Sequence, residues 1–361
     1  MLILTNDEIE ALLVMKECID VLEQCYVDLA HGEALNSIRG ENLSPCGQSD
    51  AHYLFKHMGG TWPARRIHVL RINSEIVSYP TVKALPRRVK LPMAEGRWVG
   101  LMQIYSTESG ELLAMFPDGV AQRMRVGASS AIAARFLARP DTSRLGLIGC
   151  GWQAGAQLTA MLAVRPISEV KVYSLHKDTR DTFASEMSRK LGVEIRAVDT
   201  AAECIRDVDV IVAATSSMVP VIDPTWLTQG MHLSCIRTEE VNSQVLARCD
   251  RAVVHVKDDR QVDPVIIPGT PSVRSHTLNF KSQHGDSFDA AGSWSTFPDL
   301  VDLVAGSRSG RADAMEITCF INNVGLGLQF AAIGALILDK ARELGIGREL
   351  LKEWFSEDVH P

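Results

Sequence analysis

The stretch that decides the fold is RLGLIGCGWQA, residues 144–154, in which an apolar run leads into two closely spaced glycines. The apolar part has the length and composition of a buried strand, and a helix is predicted to begin at Ala154. A strand, a G-x-G-x-x-A turn and a helix in this order form the turn that binds the pyrophosphate of a dinucleotide. Gly149 allows the tight turn, Gly151 lets the backbone approach the phosphates, and Ala154 lets the helix pack against the strand.

Trp152 and Gln153 complete this turn at the start of the helix, where free backbone N–H groups and the helix dipole attract phosphate. We therefore predict that five residues of this turn bind the cofactor: Gly149, Gly151, Trp152, Gln153 and Ala154.

Strands and helices alternate after this turn, which is typical of a doubly wound parallel sheet of the Rossmann type. Strands are predicted at 169–173, 194–197, 208–214, 232–236 and 252–256, and helices at 154–162 and 179–191. The preceding segment differs, because residues 36–118 show short β segments separated by turns. Helices are predicted at 16–31, 122–138 and 322–343, and exposed or irregular loops at 80–96 and 264–296.

The composition bounds the class of protein. The chain has 361 residues, of which 37 are Lys or Arg and 44 are Asp or Glu, giving a net charge of -7. A nucleic-acid-binding protein would show a basic face, so we expect no nucleic-acid partner. No apolar run is long enough to span a membrane, and the first residues do not resemble a signal peptide. The eight scattered cysteines indicate free thiols in a cytoplasmic protein, without a metal site.

The residues after the second strand of the sheet bear on the choice of cofactor. An NAD site normally carries an acidic residue here, which binds the ribose hydroxyls. This chain has instead Ser174, His176 and Lys177, which suit a 2′-phosphate. We therefore favour NADP(H), with NAD(H) as the alternative. Thr215 and Ser216 follow the fourth strand and are predicted to flank the nicotinamide ribose.

Three blocks resemble the ornithine cyclodeaminase/μ-crystallin family, and they occur in that family's order. They are RVGASSAIAARFLARPDTSRLGLIGCGWQAGAQ (125–157), VAATSSMVPVIDPTWLTQGMHLSCI (212–236) and INNVGLGLQFAAIGALILDKARELGIG (321–347). The resemblance implies a smaller α+β domain for substrate binding and dimerisation, built from residues 1–120 and 318–361. A dinucleotide-binding domain would span residues 121–317, and the protein would be a homodimer.

The resemblance also implies chemistry on small amino or imino acids. Arg125 matches the arginine that grips the substrate carboxylate beside the nicotinamide, and Arg39 matches a second arginine of the substrate site. The family usually has a lysine where this chain has Arg66. We therefore expect Arg66 to act at the substrate by helping Arg125 and Arg39 to hold the carboxylate. Arginine is a poor proton donor, which leaves Lys56 as the nearest alternative acid.

A second departure concerns the turn after the fifth strand, where cyclodeaminases carry an aspartate and this chain has none. The leading hypothesis is therefore an NAD(P)H-dependent imine reductase or amino-acid dehydrogenase. An ammonia-releasing cyclodeaminase with tightly bound NAD is the first alternative. A non-catalytic, NADPH-dependent binding protein is the second.

Overall fold

The computed structural model describes residues 1–37, 39–257 and 296–359. The loop predicted at 264–296 lies outside these residues except for its last position. Among the described residues, no helix is both long and apolar enough to cross a bilayer.

The helices and strands of the described residues are as follows. The strands are β1 (Leu2–Ile3), β2 (Leu35–Asn36), β3 (Gly40–Pro45), β4 (Ala51–Trp62), β5 (Ile67–Ser78), β6 (Thr81–Val82), β7 (Leu85–Pro86), β8 (Val89–Leu91), β9 (Val99–Ser106), β10 (Leu112–Pro117), β11 (Arg144–Ile148), β12 (Glu169–Tyr173), β13 (Glu194–Ala197), β14 (Val210–Ala213), β15 (His232–Cys235), β16 (Arg251–Val254), β17 (Thr318–Ile321) and β18 (Arg348–Glu349). The helices are α1 (Asn6–Leu12), α2 (Met15–Ala30), α3 (Gly119–Leu137), α4 (Ala154–Val164), α5 (Lys177–Leu191), α6 (Ala201–Ile205), α7 (Ser243–Ala247), α8 (Leu300–Val304) and α9 (Gly327–Leu344).

The parallel sheet has the strand order β13-β12-β11-β14-β15-β17-β16, and all its described pairings are parallel. Its strands are short, and the central strand β14 is wholly apolar and buried, because helices cover both faces of such a sheet. The chain turns from one half to the other between β11 and β14. A crevice outside the carboxyl ends of the strands is expected at this switch point. The predicted doubly wound parallel sheet is confirmed.

The second sheet has the order β18-β1-β10-β9-β5-β4-β2, with β3 on β4 and β8 on β5. Its central part is the long hairpin of β4 and β5, in which Lys56 pairs with Asn73. Buried and partly exposed residues alternate along β5, so one face of this sheet points to the core.

Two helices join the sheets. Helix α3 leads from β10 into the parallel sheet, and α9 leads from β17 back onto β4 and β5. The approach of α9 is very close, because a Cβ added to Gly60 would lie 2.4 Å from backbone atoms of Leu328. Strand β17, Thr318–Ile321, precedes α9 and pairs with β15. The parallel sheet therefore extends past the predicted domain boundary at residue 317.

Candidate active site

The glycine turn lies at the switch point of the parallel sheet. Gly149 has φ +106°, and a Cβ there would come within 2.2 Å of the carbonyl oxygen of Ala214, so only glycine fits. A Cβ on Gly151 would meet open space, whereas Ala154 is fully buried where α4 packs. The described residues thus leave the backbone accessible where a dinucleotide phosphate would approach.

The two side chains between Gly151 and Ala154 face different surroundings. Trp152 is largely exposed, with the guanidinium of Arg123 4.3 Å from its ring centre. Gln153 donates from Nε2 to Oε1 of Gln122 at 2.6 Å, and this bond ties the turn to α3. Its own Oε1 is buried without a partner among the described residues, which leaves one acceptor available to a ligand.

At the end of β12, the predicted adenosine side of the crevice, no carboxylate takes the usual acidic position. Ser174 accepts through its carbonyl from Arg180, whose guanidinium also pairs with Asp199. His176 is the N-cap of α5, and Lys177 is exposed and pairs with Asp181 one turn on. The Lys177 ammonium is therefore shared with a carboxylate before any cofactor binds.

A strap formed by residues 80–91 crosses from the antiparallel sheet to this crevice. Its Lys83 ammonium donates to the carbonyl of Leu175 at 2.7 Å, and Arg87 Nη1 donates to Oγ of Ser216 at 3.0 Å. The backbone N–H of Met218 donates to the carbonyl of Pro86 at 3.1 Å. Most of the segment predicted as an exposed loop at 80–96 is exposed, but these contacts and the strands β6, β7 and β8 order its first part, which the prediction missed.

Thr215 and Ser216 lie at the end of β14, where both are already bonded. The N–H and hydroxyl of Thr215 donate to Oε1 of Glu240, at 2.6 and 2.9 Å. Oε2 of Glu240 accepts from the N–H groups of Ile236 and Arg237. Burial raises the pKa of Glu240 to about 7, while these hydrogen bonds favour its charged form. Glu240 therefore ties the ends of β14 and β15 together.

The core-facing side of β5 changes from apolar to charged as it nears the crevice. Arg71, Asn73 and Glu75 share the face of Ile67 and Val69 and are all buried. Arg71 donates from Nε and Nη2 to Oδ2 of Asp118, the N-cap of α3, at 2.7 and 2.6 Å. This pair fixes the start of α3 against the antiparallel sheet.

Arg125 lies two turns into α3 with its guanidinium over the ring of Phe330, 5.2 Å from the centre, and Arg71 lies 5.3 Å from the same ring. A Cβ on Gly325 would collide with Nη1 of Arg125 at 2.6 Å, so this glycine makes room for the guanidinium. Burial and the charge of Arg71 lower the pKa of Arg125 to about 9. Its Nε is buried and without a partner among the described residues.

A buried hydrogen-bond network orients Arg125. Its Nη1 donates to Oε1 of Gln329 at 3.0 Å, and Nε2 of Gln329 donates to Ser129 Oγ at 2.7 Å and Tyr26 OH at 3.1 Å. Tyr26 OH also lies 2.6 Å from Nε2 of His255. Burial lowers the pKa of His255 to about 4, so the imidazole adds no charge at neutral pH. The network positions Arg125 without neutralising it.

Lys56 projects from β4 onto the same face and is buried. Its Nζ lies 3.5 Å from Oε1 of Glu75, too far for a hydrogen bond of ordinary strength. Burial, followed by the positive charge of Arg88, lowers the pKa of Lys56 to about 7, against the opposing effect of Glu75. An ammonium with this pKa can give up a proton at neutral pH.

These side chains form one cationic cluster. Its members are Arg39, Lys56, Arg71, Arg88, Lys90 and Arg125, with the carboxylates Glu41, Glu75 and Asp118. Arg39 is central to this cluster. It pairs with Glu41, and its positive charge contributes to the lowered pKa of Lys56. Burial, together with the charges of Arg71 and Arg88, lowers the pKa of Arg39 itself. Six cations thus face three carboxylates.

The structure does not bring Arg66 to this cluster. Arg66 lies in the turn between β4 and β5 with φ +56°, is largely exposed and pairs with Glu108 at 3.3 Å. Arg71 is the arginine of this segment that faces the cluster. A role for Arg66 at the substrate therefore has no geometric support.

Several residues of the site were not predicted from the sequence, although the alternating pattern of one strand indicates three of them. Alternate positions of one strand carry apolar residues at both ends and polar or charged residues between them: Ile67, Val69, Arg71, Asn73, Glu75 and Val77. Charged residues on a buried face need partners or a ligand, which marks this face as functional. No comparable signal points to Lys83, Arg87 or Arg88, because the strap contacts depend on tertiary structure.

Comparisons with known proteins agree with this architecture. Residues 96–345 match the model of the ornithine cyclodeaminase/mu-crystallin family. Alanine dehydrogenase of Archaeoglobus fulgidus is 26% identical over 97% of this chain and 98% of its own length.

Two solved structures resemble the whole fold. The Δ1-pyrroline-2-carboxylate reductase of Thermococcus litoralis, in complex with NADH and L-proline, superposes with a TM-score of 0.77 at 26% identity, over 97% of this chain and 100% of that one. An archaeal alanine dehydrogenase dimer with bound NAD gives a TM-score of 0.73 at 25% identity, over 97% and 99%. The resemblance noted in the sequence is confirmed: this chain belongs to the ornithine cyclodeaminase/mu-crystallin family.

Proposed function

We propose that this protein is an NAD(P)-dependent oxidoreductase that reduces the C=N bond of a small α-imino acid or, in reverse, oxidises the corresponding amino acid. The observation that carries the proposal is the buried guanidinium of Arg125, whose Nε is unpartnered among the described residues and which lies on α3, the helix that Gln122 ties to the dinucleotide turn. An oriented buried guanidinium next to a nicotinamide crevice suits the carboxylate of such a substrate.

The chain's own residues would divide the work as follows. Arg125 and Arg39 hold the α-carboxylate. Arg71 keeps α3 and Arg125 in position, and Arg66 has no part in the site. Lys56 supplies the proton to the nitrogen, since its pKa is close to 7. A bound nicotinamide would supply the hydride, while positioning accounts for much of the rate.

The cofactor is proposed to be NADP(H), with NAD(H) as the alternative. Ser174 replaces the usual acidic residue, and Lys83 brings an ammonium to the neighbouring Leu175. The two solved relatives are described with NADH and NAD, which keeps the alternative open.

We propose that the chain is organised in two units. A substrate-binding unit comprises the chain-end segments and the antiparallel sheet, and the dinucleotide unit lies between them. By analogy with the dimeric archaeal relative, the protein is proposed to be a homodimer.

The cyclodeaminase alternative gains no support from the turn after β15. Glu239 pairs with Arg237 there, and Glu240 is fully engaged with backbone and hydroxyl donors.

The test is a panel of 2-oxo acids with ammonia or methylamine, together with cyclic imino acids, followed at about 340 nm with NADPH and NADH. We expect stoichiometric oxidation of cofactor with at least one substrate, and a loss of about 100-fold or more in kcat/KM for Arg125→Met. Ammonia release from a diamino acid without net change in cofactor would indicate the cyclodeaminase instead. Tight cofactor binding with no turnover of any substrate would indicate a binding protein.

A further inference from the structure

The cationic cluster carries more positive charge than one carboxylate needs. The α-carboxylate is accounted for by Arg125 and Arg39, and Asp118 neutralises Arg71. Arg88 and Lys90 remain on the other side of Lys56, where they share Glu75 as their carboxylate. Arg88 is largely shielded and Lys90 is half exposed, and together with Lys56 they share this single carboxylate, so Arg88 has no carboxylate of its own.

Arg88 is the least satisfied member of this group. Its Nη2 is buried without a hydrogen-bond partner among the described residues and lies 3.9 Å from Oε2 of Glu75, beyond hydrogen-bond distance. Glu75 is instead approached more closely by Lys90, at 2.9 Å. One guanidinium nitrogen is therefore available for another acceptor, in a place where water has little access.

The backbone of Arg88 connects this spare donor to the reaction site. Its N–H donates to the carbonyl of Ser216 at 3.3 Å, at the end of β14 beside the crevice. Arg88 therefore contacts the crevice through its backbone and acts on Lys56 through its charge, while Arg125 lies one turn along α3 from Gln122, which bonds to the dinucleotide turn. An α-imino acid held by Arg125 with its nitrogen near Lys56 would direct its side chain towards Arg88.

We propose that the substrate is an α-imino or α-amino dicarboxylate, whose side-chain carboxylate is bound by Arg88 with Lys90 behind it. The inference rests on the proposed function, and it names the substrate class of the same site. A substrate that brings two negative charges restores the balance of the cluster better than a monocarboxylate does. A guanidinium also discriminates strongly, because it is left unpaired when the second carboxylate is missing.

Binding separates this inference from turnover. Succinate and propionate differ by one carboxylate, so their dissociation constants are compared by calorimetry on the protein saturated with reduced cofactor. We expect succinate to bind at least about tenfold more tightly than propionate. Arg88→Met should remove this preference, because it should weaken succinate binding far more than propionate binding. The control is Arg97→Met, since Arg97 is an exposed arginine just before β9 that faces Glu95 and not the cluster.

Turnover gives a second readout with oxaloacetate or 2-oxoglutarate against pyruvate, each with ammonia. We expect a higher kcat/KM for the dicarboxylates, an advantage that is lost in Arg88→Met and partly kept in Arg88→Lys, which retains the charge. Equal binding of succinate and propionate, or an unchanged preference in folded Arg88→Met, would overturn the inference. So would a loss of cofactor affinity in that variant as large as the loss of succinate affinity. Succinate binding through Arg88 without any turnover would instead count against the proposed function.

Discussion

At the scale of single residues, the chemistry depends on Lys56. It is buried on the face of Arg71 and Glu75, and its counter-charge is too distant to hold the proton firmly. Burial favours the neutral amine, and the nearby cations reinforce this effect. A lysine in such surroundings behaves as an acid near neutral pH and not as a permanent charge.

This environment predicts the pH dependence of the reaction. Because only protonated Lys56 can donate, kcat/KM for imine reduction should fall as pH rises through about 7. Lys56→Met should lower kcat by roughly 100-fold or more and abolish this descending limb. Lys56→Arg should keep substrate binding but not kcat, because arginine holds its proton. If kcat/KM of Lys56→Met still falls as pH rises through about 7, the proton donor is another group. Steady-state rates measured between pH 5 and pH 9 provide the test.

The sequence was informative about residues with local signatures and not about those fixed by tertiary contacts. Gly149, Gly151 and Ala154 are recognisable because each meets a local requirement of one short segment. Gly149 allows the turn, Gly151 exposes the backbone and Ala154 allows close packing of the helix. Arg66 looked like a site residue because of its position in a motif, yet the turn between β4 and β5 directs it to solvent. The strand register that places Arg71 inside is a property of the whole hairpin.

At the scale of elements, the strap at residues 80–91 links the two sheets across the crevice. The turn between β6 and β7 places Lys83 and Ala84 at φ +50° and +63°, a left-handed conformation that costs non-glycine residues about 1–2 kcal/mol each. Such strain persists only where surrounding contacts hold it, and here the bonds from Lys83 and Arg87 do so. The strap is therefore held in place from the cofactor side.

The position of Lys83 in the strap predicts that this residue binds the 2′-phosphate of the cofactor. Lys83→Met should raise KM for NADPH by about fivefold, as expected for an exposed charge pair, and leave KM for NADH nearly unchanged. The matched control is Lys190→Met, an exposed lysine in the last turn of α5. An equal effect on both cofactors would mean that Lys83 only supports the strap, and saturation kinetics with each cofactor distinguish these outcomes.

The elements of the parallel sheet were predicted well because each strand is a short apolar run between turns. The strap was not, since proline and basic residues in a row look like an exposed loop unless their distant partners are known. The order of β17 next to β15 was also not evident, because a long segment separates the two strands in sequence.

At the scale of the whole molecule, the antiparallel sheet has a second face, which remains partly exposed. Leu70 and Ile72 on β5, Phe55 on β4 and Leu101 on β9 point away from the cluster and retain some solvent contact. Partly exposed apolar side chains on one sheet face suit protein association, although His57 and Gln103 are interleaved with them. We propose that the second subunit packs on this face.

This assignment predicts the effect of one charge. In size-exclusion chromatography with light scattering, the wild-type protein should have twice the 39.6 kDa chain mass. Ile72→Lys should reduce the measured mass to that of the monomer. Leu344→Lys is the control, because Leu344 is an exposed leucine at the end of α9. A dimer that survives Ile72→Lys with normal affinity would place the interface elsewhere.

The alternation along β5 has a consequence for how the enzyme behaves when it is scarce. Ile72, on the association face, sits between Arg71 and Asn73, which line the substrate side of the same strand. If the subunits come apart, water reaches one side of the strand whose other side aligns the arginines. Activity per chain would then decline on dilution, and an anionic substrate that stiffens the strand would protect against that decline.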